Sequence, residues 1–269
     1  MGYKTKIDWC DSSWNPVTGC LHGCEYCYAR GIARRYGGYD APGGKEVTTH
    51  CPLKRAELSE PLTITRKDGR EHKAPYPFGF MPTLHRYRLD KPEKWTEPRT
   101  IFVCSMADLF GTWVPDEWIV EVLDACRRAP QHRYLFLTKN PWRYDELEDK
   151  GVITPEDRNF WLGSTTTDIL KDPMHYASGQ HTFQSCEPML APWPPAGRPN
   201  PLSAKKGWLP EWVIFGAETG NRKGKVIPEK AWVDNAVQMC RNMGAKVFMK
   251  ESLREIMGED FVQEFPWEG

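Results

Sequence analysis

From residue 100 onward two patterns alternate along the chain. Short runs in which almost every residue is apolar or β-branched are each closed by small or polar residues: TIFVCS (100–105), RYLFLT (133–138), FWLGST (160–165), HTFQSCE (181–187), EWVIFGAE (211–218) and AKVFMK (245–250). Continuous apolar runs of this length suit strands buried on both faces, as in a parallel sheet. Between them lie segments of helical period. VPDEWIVEVLDACRRAP sets Trp118, Ile119, Val122, Leu123 and Cys126 on one face, behind a Pro115-Asp116 start. IPEKAWVDNAVQMCRNMGA lines up Trp232, Val233, Ala236, Val237, Cys240 and Met243 and stops at Gly244, and NPWRYDELEDK predicts a third helix. The fold class this predicts is α/β, a parallel sheet with right-handed crossovers, open or curled into a whole or partial barrel.

Two stretches break the rhythm. Residues 37–99 read as an insertion, with a hairpin predicted in PLTITRKDGREHK around the Asp68-Gly69 turn. Residues 188–210, PMLAPWPPAGRPNPLSAKKGWLP, hold too much proline for a helix and predict a long loop. The domain reading is therefore one unit over 1–269 with an insertion at about 37–99.

Composition narrows the class. With 269 residues, 40% hydrophobic, 27% charged and 12 Trp, the chain is expected to fold around a sizeable core without disulfide staples. Thirty-six Lys and Arg balance 36 Asp and Glu, so overall charge announces no nucleic-acid-coating surface, although a local basic groove is compatible with a neutral total. The N-terminus carries no apolar signal core and no apolar run reaches membrane-spanning length, so the expectation is a cytoplasmic protein without a membrane partner. Nine cysteines, an odd number, suit a reducing compartment in which thiols stay free or bind metal.

Three of them sit within eight residues. Cys20, Cys24 and Cys27 in WNPVTGCLHGCEYCYAR have the spacing C-x3-C-x2-C, and Gly19 and Gly23 allow the backbone to wrap around whatever the sulfurs hold. Two metals answer this pattern. Structural zinc takes four ligands, and His22 supplies the fourth in a Cys3His site. A 4Fe-4S cluster takes three thiolates and leaves one iron open to a small molecule.

With Tyr26 just before the third cysteine, the motif resembles the cluster-binding signature of the radical S-adenosylmethionine superfamily. WNPVTGC, IFVCSMADLFG, FLTKNPWR, SCEPML and VIFGAETG together resemble a phage-associated three-cysteine family of radical-SAM-like proteins over nearly the whole chain. The resemblance implies a partial (β/α)6, TIM-like barrel with the cysteine loop after the first strand, a 4Fe-4S cluster on Cys20, Cys24 and Cys27, and S-adenosylmethionine bound at the open iron. It implies an electron donor, reductive cleavage of the cofactor to a 5'-deoxyadenosyl radical, and hydrogen abstraction from a substrate. Phage association suggests a nucleic-acid base or nucleoside for that substrate, and Arg66, Lys67, Arg70 and Lys73 of the hairpin offer phosphate contacts or simply a solvated face.

In a barrel of parallel strands, reactive groups gather at the C-terminal strand ends. Tyr26, Ser105 and Asp108 are then expected at the cofactor, the last two toward its amino group, although the superfamily's Gly-Gly-Glu is absent at that strand end and Asp108 equally suits the start of a helical turn. Ser164, Thr165 and Asp168 offer hydrogen bonds to a ribose or form a plain Ser/Thr turn. Glu187 and Glu218 follow apolar runs directly, and Lys139 and Lys250 have the same placement. Glu187, Glu218 and Lys139 are expected to be catalytic, the two acids because a buried unpaired carboxylate is costly, while Lys139 and Lys250 can meet those acids or an anionic substrate or form structural ion pairs. Cys126 and Cys240 read as small core residues, whereas Cys10, Cys51, Cys104 and Cys186 are scattered, without the paired spacing of an auxiliary cluster. Against the enzyme stands a non-enzymatic zinc- or cluster-stabilised module that supports a DNA-processing partner.

Overall fold

In the computed structural model, which describes residues 5–36, 55–65, 69–172, 180–193 and 210–268, seven strands hydrogen-bond into one parallel sheet. They are β1 (Ser12–Trp14), β2 (Thr100–Val103), β3 (Arg133–Thr138), β4 (Phe160–Thr165), β5 (His181–Cys186), β6 (Trp212–Phe215) and β7 (Lys246–Met249), and their spatial order is their chain order. Each of the six apolar runs is a strand. Among the described residues, helices of eight or more residues follow four of the seven: α1 (Tyr28–Tyr36), α2 (Asp116–Arg127), α3 (Trp142–Asp149) and α4 (Lys230–Asn242). Asp116 and Glu117 in the first turn of α2 and Arg127 in its last complement the helix dipole.

Successive strand residues face opposite sides, and here both sides are buried. On the outer side Ile101, Val103, Tyr134, Phe136, Phe160 and Leu162 pack under Trp118, Ile119, Val122 and Leu123 of α2 and Tyr144 and Leu147 of α3. Further along the same side Val213, Phe215, Val247 and Met249 meet Val233, Ala236 and Cys240 of α4. The residues of opposite parity, Phe102, Leu135, Trp161, Phe183, Trp212, Ile214 and Phe248, form a separate inner cluster around Trp9. Trp9 touches Phe102 of β2 at 4.5 Å and Trp212 of β6 at 6.2 Å between ring centroids. Those two strands would stand about 19 Å apart in a flat sheet. The sheet is therefore curled into a half-barrel, with Trp9 inside the curl.

Only parts of the 37–99 excursion are described. Ala56–Leu58 pairs parallel with Thr83–His85, which pairs antiparallel with Val17–Thr18. Arg86 reaches from this small sheet to Glu121 of α2 with Nε at 2.9 Å and Nη2 at 2.8 Å, and Trp118 Nε1 donates to Glu57 at 2.7 Å. The predicted hairpin is present as Thr63–Thr65 against Glu71–Lys73, with Gly69 at φ +77° closing it. Arg66, Lys67, Asp68, Cys51 and residues 194–209 of the predicted proline-rich loop lie outside the described residues. Cys104, Cys126, Cys186 and Cys240 are buried, and desolvation pushes the Cys104 thiol up to about 12. No helix among the described residues is long and apolar enough to cross a membrane.

The inner cluster depends on Gly163, because a Cβ there would fall 2.3 Å from the ring of Phe183 on the neighbouring strand. Gly163→Ala should lower unfolding stability by about 1–3 kcal/mol through forced repacking. Urea unfolding of the variant beside the parent checks this, and an unchanged midpoint would mean that the curl accommodates a methyl group.

Candidate active site

The C-terminal strand ends open into a cavity of about 650 Å3. Its lining follows from strand parity. Counting on from inward-facing Leu135, Trp161, Phe183, Trp212 and Phe248, the positions two, four or six residues later are Lys139, Thr165, Glu187, Glu218 and Lys250, and all five line this cavity.

The cysteine loop forms the opposite wall, contributing Cys20, Cys24, Tyr26 and Cys27. It is pinned by backbone contacts. Gly19 N donates to Met106 O at 2.9 Å and Cys20 N to Phe80 O at 3.2 Å. At φ +86°, with the carbonyl oxygen of Met81 2.2 Å from where a Cβ would stand, position 19 admits only glycine. Cys27 stands just before α1, where its sulfur accepts the Arg30 amide at 3.4 Å, taking the place of a capping side chain and meeting the positive end of the helix. All three thiols are free and half-buried. Burial pushes the Cys20 thiol up to about 12, with the fields of Asp108, Cys24 and Cys27 adding to it, so a metal binding there must displace a tightly held proton. Among the described residues no three His, Cys, Asp or Glu side chains close around a single metal position; the thiols share a cavity wall and a mutual field.

Asp108 is the hub behind that wall. Its buried carboxylate accepts from Thr138 Oγ1 at 2.7 Å and Phe110 N at 3.1 Å on Oδ1, and from Lys139 N at 2.9 Å on Oδ2. The same Oδ2 bonds His22 Nε2 at 2.7 Å, and the His22 ring stands edge-on to Trp113 at 4.8 Å. The sequence reading of Asp108 as a cofactor ligand meets a carboxylate whose acceptor capacity is already used by the protein. Ser105 joins the same wall through Asn15: its hydroxyl donates to Asn15 Oδ1 at 3.2 Å, Met106 N donates there at 2.9 Å, and Ser105 O accepts from Tyr28 OH at 2.7 Å.

Both strand-end acids are paired. Glu187 accepts from Lys250 Nζ across β5 and β7, in the space left by Gly216, where a Cβ would stand 3.1 Å from Glu187 Cγ and 3.0 Å from Lys250 Cδ. Glu218 holds Arg222 bidentately, Nε at 2.6 Å and Nη2 at 2.7 Å, and those hydrogen bonds draw its carboxyl below the ordinary range. Arg222 also reaches Glu25 of the cysteine loop at 3.7 Å. Lys139 Nζ lies over the Tyr26 ring at 5.4 Å, and burial raises the Tyr26 hydroxyl.

Two expected residues stand elsewhere. Ser164 has outward parity and donates to buried Gln184 Oε1 at 2.8 Å, and Asp168 turns toward Lys171 at 2.7 Å; neither lines the cavity. The sequence reading also missed Asn15, Arg222 and the coupling of His22 to Asp108. The first was legible in WNP, one residue beyond a short strand, and the second in the E-x3-R spacing of ETGNR. The third spans 86 residues and left no local signal.

Residues 4–254 match a family described as a protein of unknown function (DUF5131), and the chain belongs to that family. No curated protein and no solved structure matches it.

Arg222 ties Glu218 to its ionised form, so the stabilisation is present above the carboxylate's ordinary value of 4.5 and is lost as pH falls through the lower folded value. Glu218→Gln should therefore be less stable than the parent at pH 7, and the gap should narrow as pH drops toward about 3. Urea midpoints of both proteins across that range test the sign.

Proposed function

We propose that this member of the family is a radical S-adenosylmethionine enzyme, with Cys20, Cys24 and Cys27 as the ligands of a 4Fe-4S cluster. The observation that carries the reading is that three thiols from one loop open onto a 650 Å3 cavity at the C-terminal ends of a curled parallel sheet. A purely structural metal site is closed by its ligands and requires no such space, whereas a site that accepts a second molecule does. The curled sheet is read as the superfamily's partial (β/α)6 barrel with a seventh strand.

Bound at those thiolates, the cluster supplies one-electron cleavage of S-adenosylmethionine, and with it hydrogen abstraction from the substrate. The chain's own residues hold and orient. Cys27 is fixed at the helix start by the Arg30 amide, which donates to its sulfur. Lys139 restrains Tyr26, the residue before Cys27, and Thr165 lines the strand wall opposite the cysteine loop, a residue type able to hydrogen-bond a ribose. The Glu187–Lys250 pair suits a zwitterion: an amino-acid head group exchanging into it satisfies both charges and leaves neither buried alone. An electron donor is required, and a nucleic-acid base or nucleoside is the substrate class that the phage resemblance suggests.

A second reading has its own support. His22 bonded to Asp108 is the arrangement in which a carboxylate orients a metal-binding histidine, and with the three cysteines it would make a Cys3His zinc site. Anaerobic reconstitution separates the two. The enzyme reading expects about four irons per chain, sulfide, a brown protein, and 5'-deoxyadenosine on addition of S-adenosylmethionine and dithionite, with each of Cys20→Ala, Cys24→Ala and Cys27→Ala losing both iron and product. One zinc per chain that resists replacement by iron, without 5'-deoxyadenosine, overturns it.

A further inference from the structure

A second cavity, of about 580 Å3, lies at the other end of the sheet, against the N-terminal ends of the strands, and shares no lining residue with the first. Three consecutive strands enter the sheet behind an arginine: EPRTIFV, QHRYLFL and EDRNFWL. Thr100 is in register with Arg133 and Tyr134 with Phe160, so Arg99, Arg133 and Arg158 stand at the starts of neighbouring strands about 4.8 Å apart, all lining this cavity.

Seven other arginines among the described residues are matched by acids, whereas Arg30 lies over the Phe80 ring and Arg88 is held by backbone carbonyls. Arg86, Arg127, Arg128, Arg143, Arg222, Arg241 and Arg254 each have a carboxylate oxygen within 4.0 Å. Among the described residues Arg99, Arg133 and Arg158 have none. Arg99 is held by Ser12 Oγ at 3.1 Å and stacks over Trp95, while its Nε is buried without a partner. Arg133 donates to Thr100 Oγ1 at 3.2 Å and lies 4.1 Å over Trp267, and burial lowers its pKa. Arg158 is exposed at the rim.

The two acids of the cavity are engaged by other groups. His181, stacked on Trp161 at 4.5 Å, bonds Glu211 at 3.0 Å, and Asp11 accepts the Thr100 amide at 2.7 Å while its field reaches Arg133 without an ion pair within 4.0 Å. Half-buried guanidinium groups without a hydrogen-bonded anion, as at Arg99 and Arg133, are costly, and the planar forks of all three match the oxygens of a phosphate. A multiply charged anion satisfies several forks together, which a single carboxylate does not.

We propose that this basal cavity is a binding site for phosphate or a phosphate ester, held by Arg99, Arg133 and Arg158. The proposal is independent of the chemistry assigned to the thiol cavity. Calorimetric titration of the full chain with inorganic phosphate, and separately with adenosine 5'-monophosphate, at ionic strength balanced with chloride, tests it. The expected result is saturable one-site binding, weakened at least about tenfold by Arg158→Gln, whose rim position leaves the unfolding midpoint in phosphate-free buffer unchanged. Arg133→Lys, which keeps the charge and loses the fork, should weaken it as well. Tighter binding of the nucleotide identifies an ester as the ligand, and equal or tighter binding of phosphate identifies the free anion. Heats that do not saturate with either compound, or an affinity unchanged in Arg158→Gln, overturn the proposal.

Discussion

The rest of the structure depends on curling a two-sided sheet around one indole. Because Trp9 stands against Phe102, Phe183 and Trp212 together, strands far apart in order are brought to share a single inner core. The curl makes a wall concave, and concavity turns strand ends into a lining. Once inner parity is set by Leu135, Trp161, Phe183, Trp212 and Phe248, the side chains of Lys139, Thr165, Glu187, Glu218 and Lys250 enter the cavity by the two-residue repeat alone.

The cysteine loop has no such scaffold, being too short and too rich in glycine to bury a core of its own. It is ordered by what it leans on. Gly19 lies against the backbone of Met106 and Met81, Tyr28 bonds the carbonyl of Ser105, and His22 reaches Asp108, which in turn holds β3 through Thr138 and Lys139. Met106, Ser105 and Asp108 among these supports belong to the segment after β2, and Met81 to the excursion before it. The position of the three thiols is therefore set by residues 80–110 and 138–139 as much as by the loop itself.

Much of this fold was legible beforehand, for a physical reason. Strands buried on both faces must be apolar throughout, so RYLFLT and FWLGST coincide with β3 and β4 at both ends. SSW was invisible because three residues carry no period, although the resemblance placed a strand before the cysteine loop. At the site, composition was a weaker guide than parity. Thr165 and Ser164 are chemically alike neighbours, yet only the odd position faces inward. Glu187 and Glu218 were legible as strand-end acids expected to serve the chemistry, but their partners were not, since Lys250 lies 63 residues away from one and Arg222 answers the other from a turn without periodicity.

Arg222 occupies two electrostatic regimes at once. Its bidentate contact with Glu218 involves a carboxylate whose side chain is 2% exposed, whereas its 3.7 Å contact with Glu25 meets one that is 84% exposed. Salt screens exposed pairs far more than sheltered ones, over a Debye length of about 8 Å at physiological ionic strength. The strand end thus keeps its arginine across salt concentrations, while the link from that arginine to the cysteine loop slackens as ionic strength rises, leaving the loop to its contacts with the segment after β2.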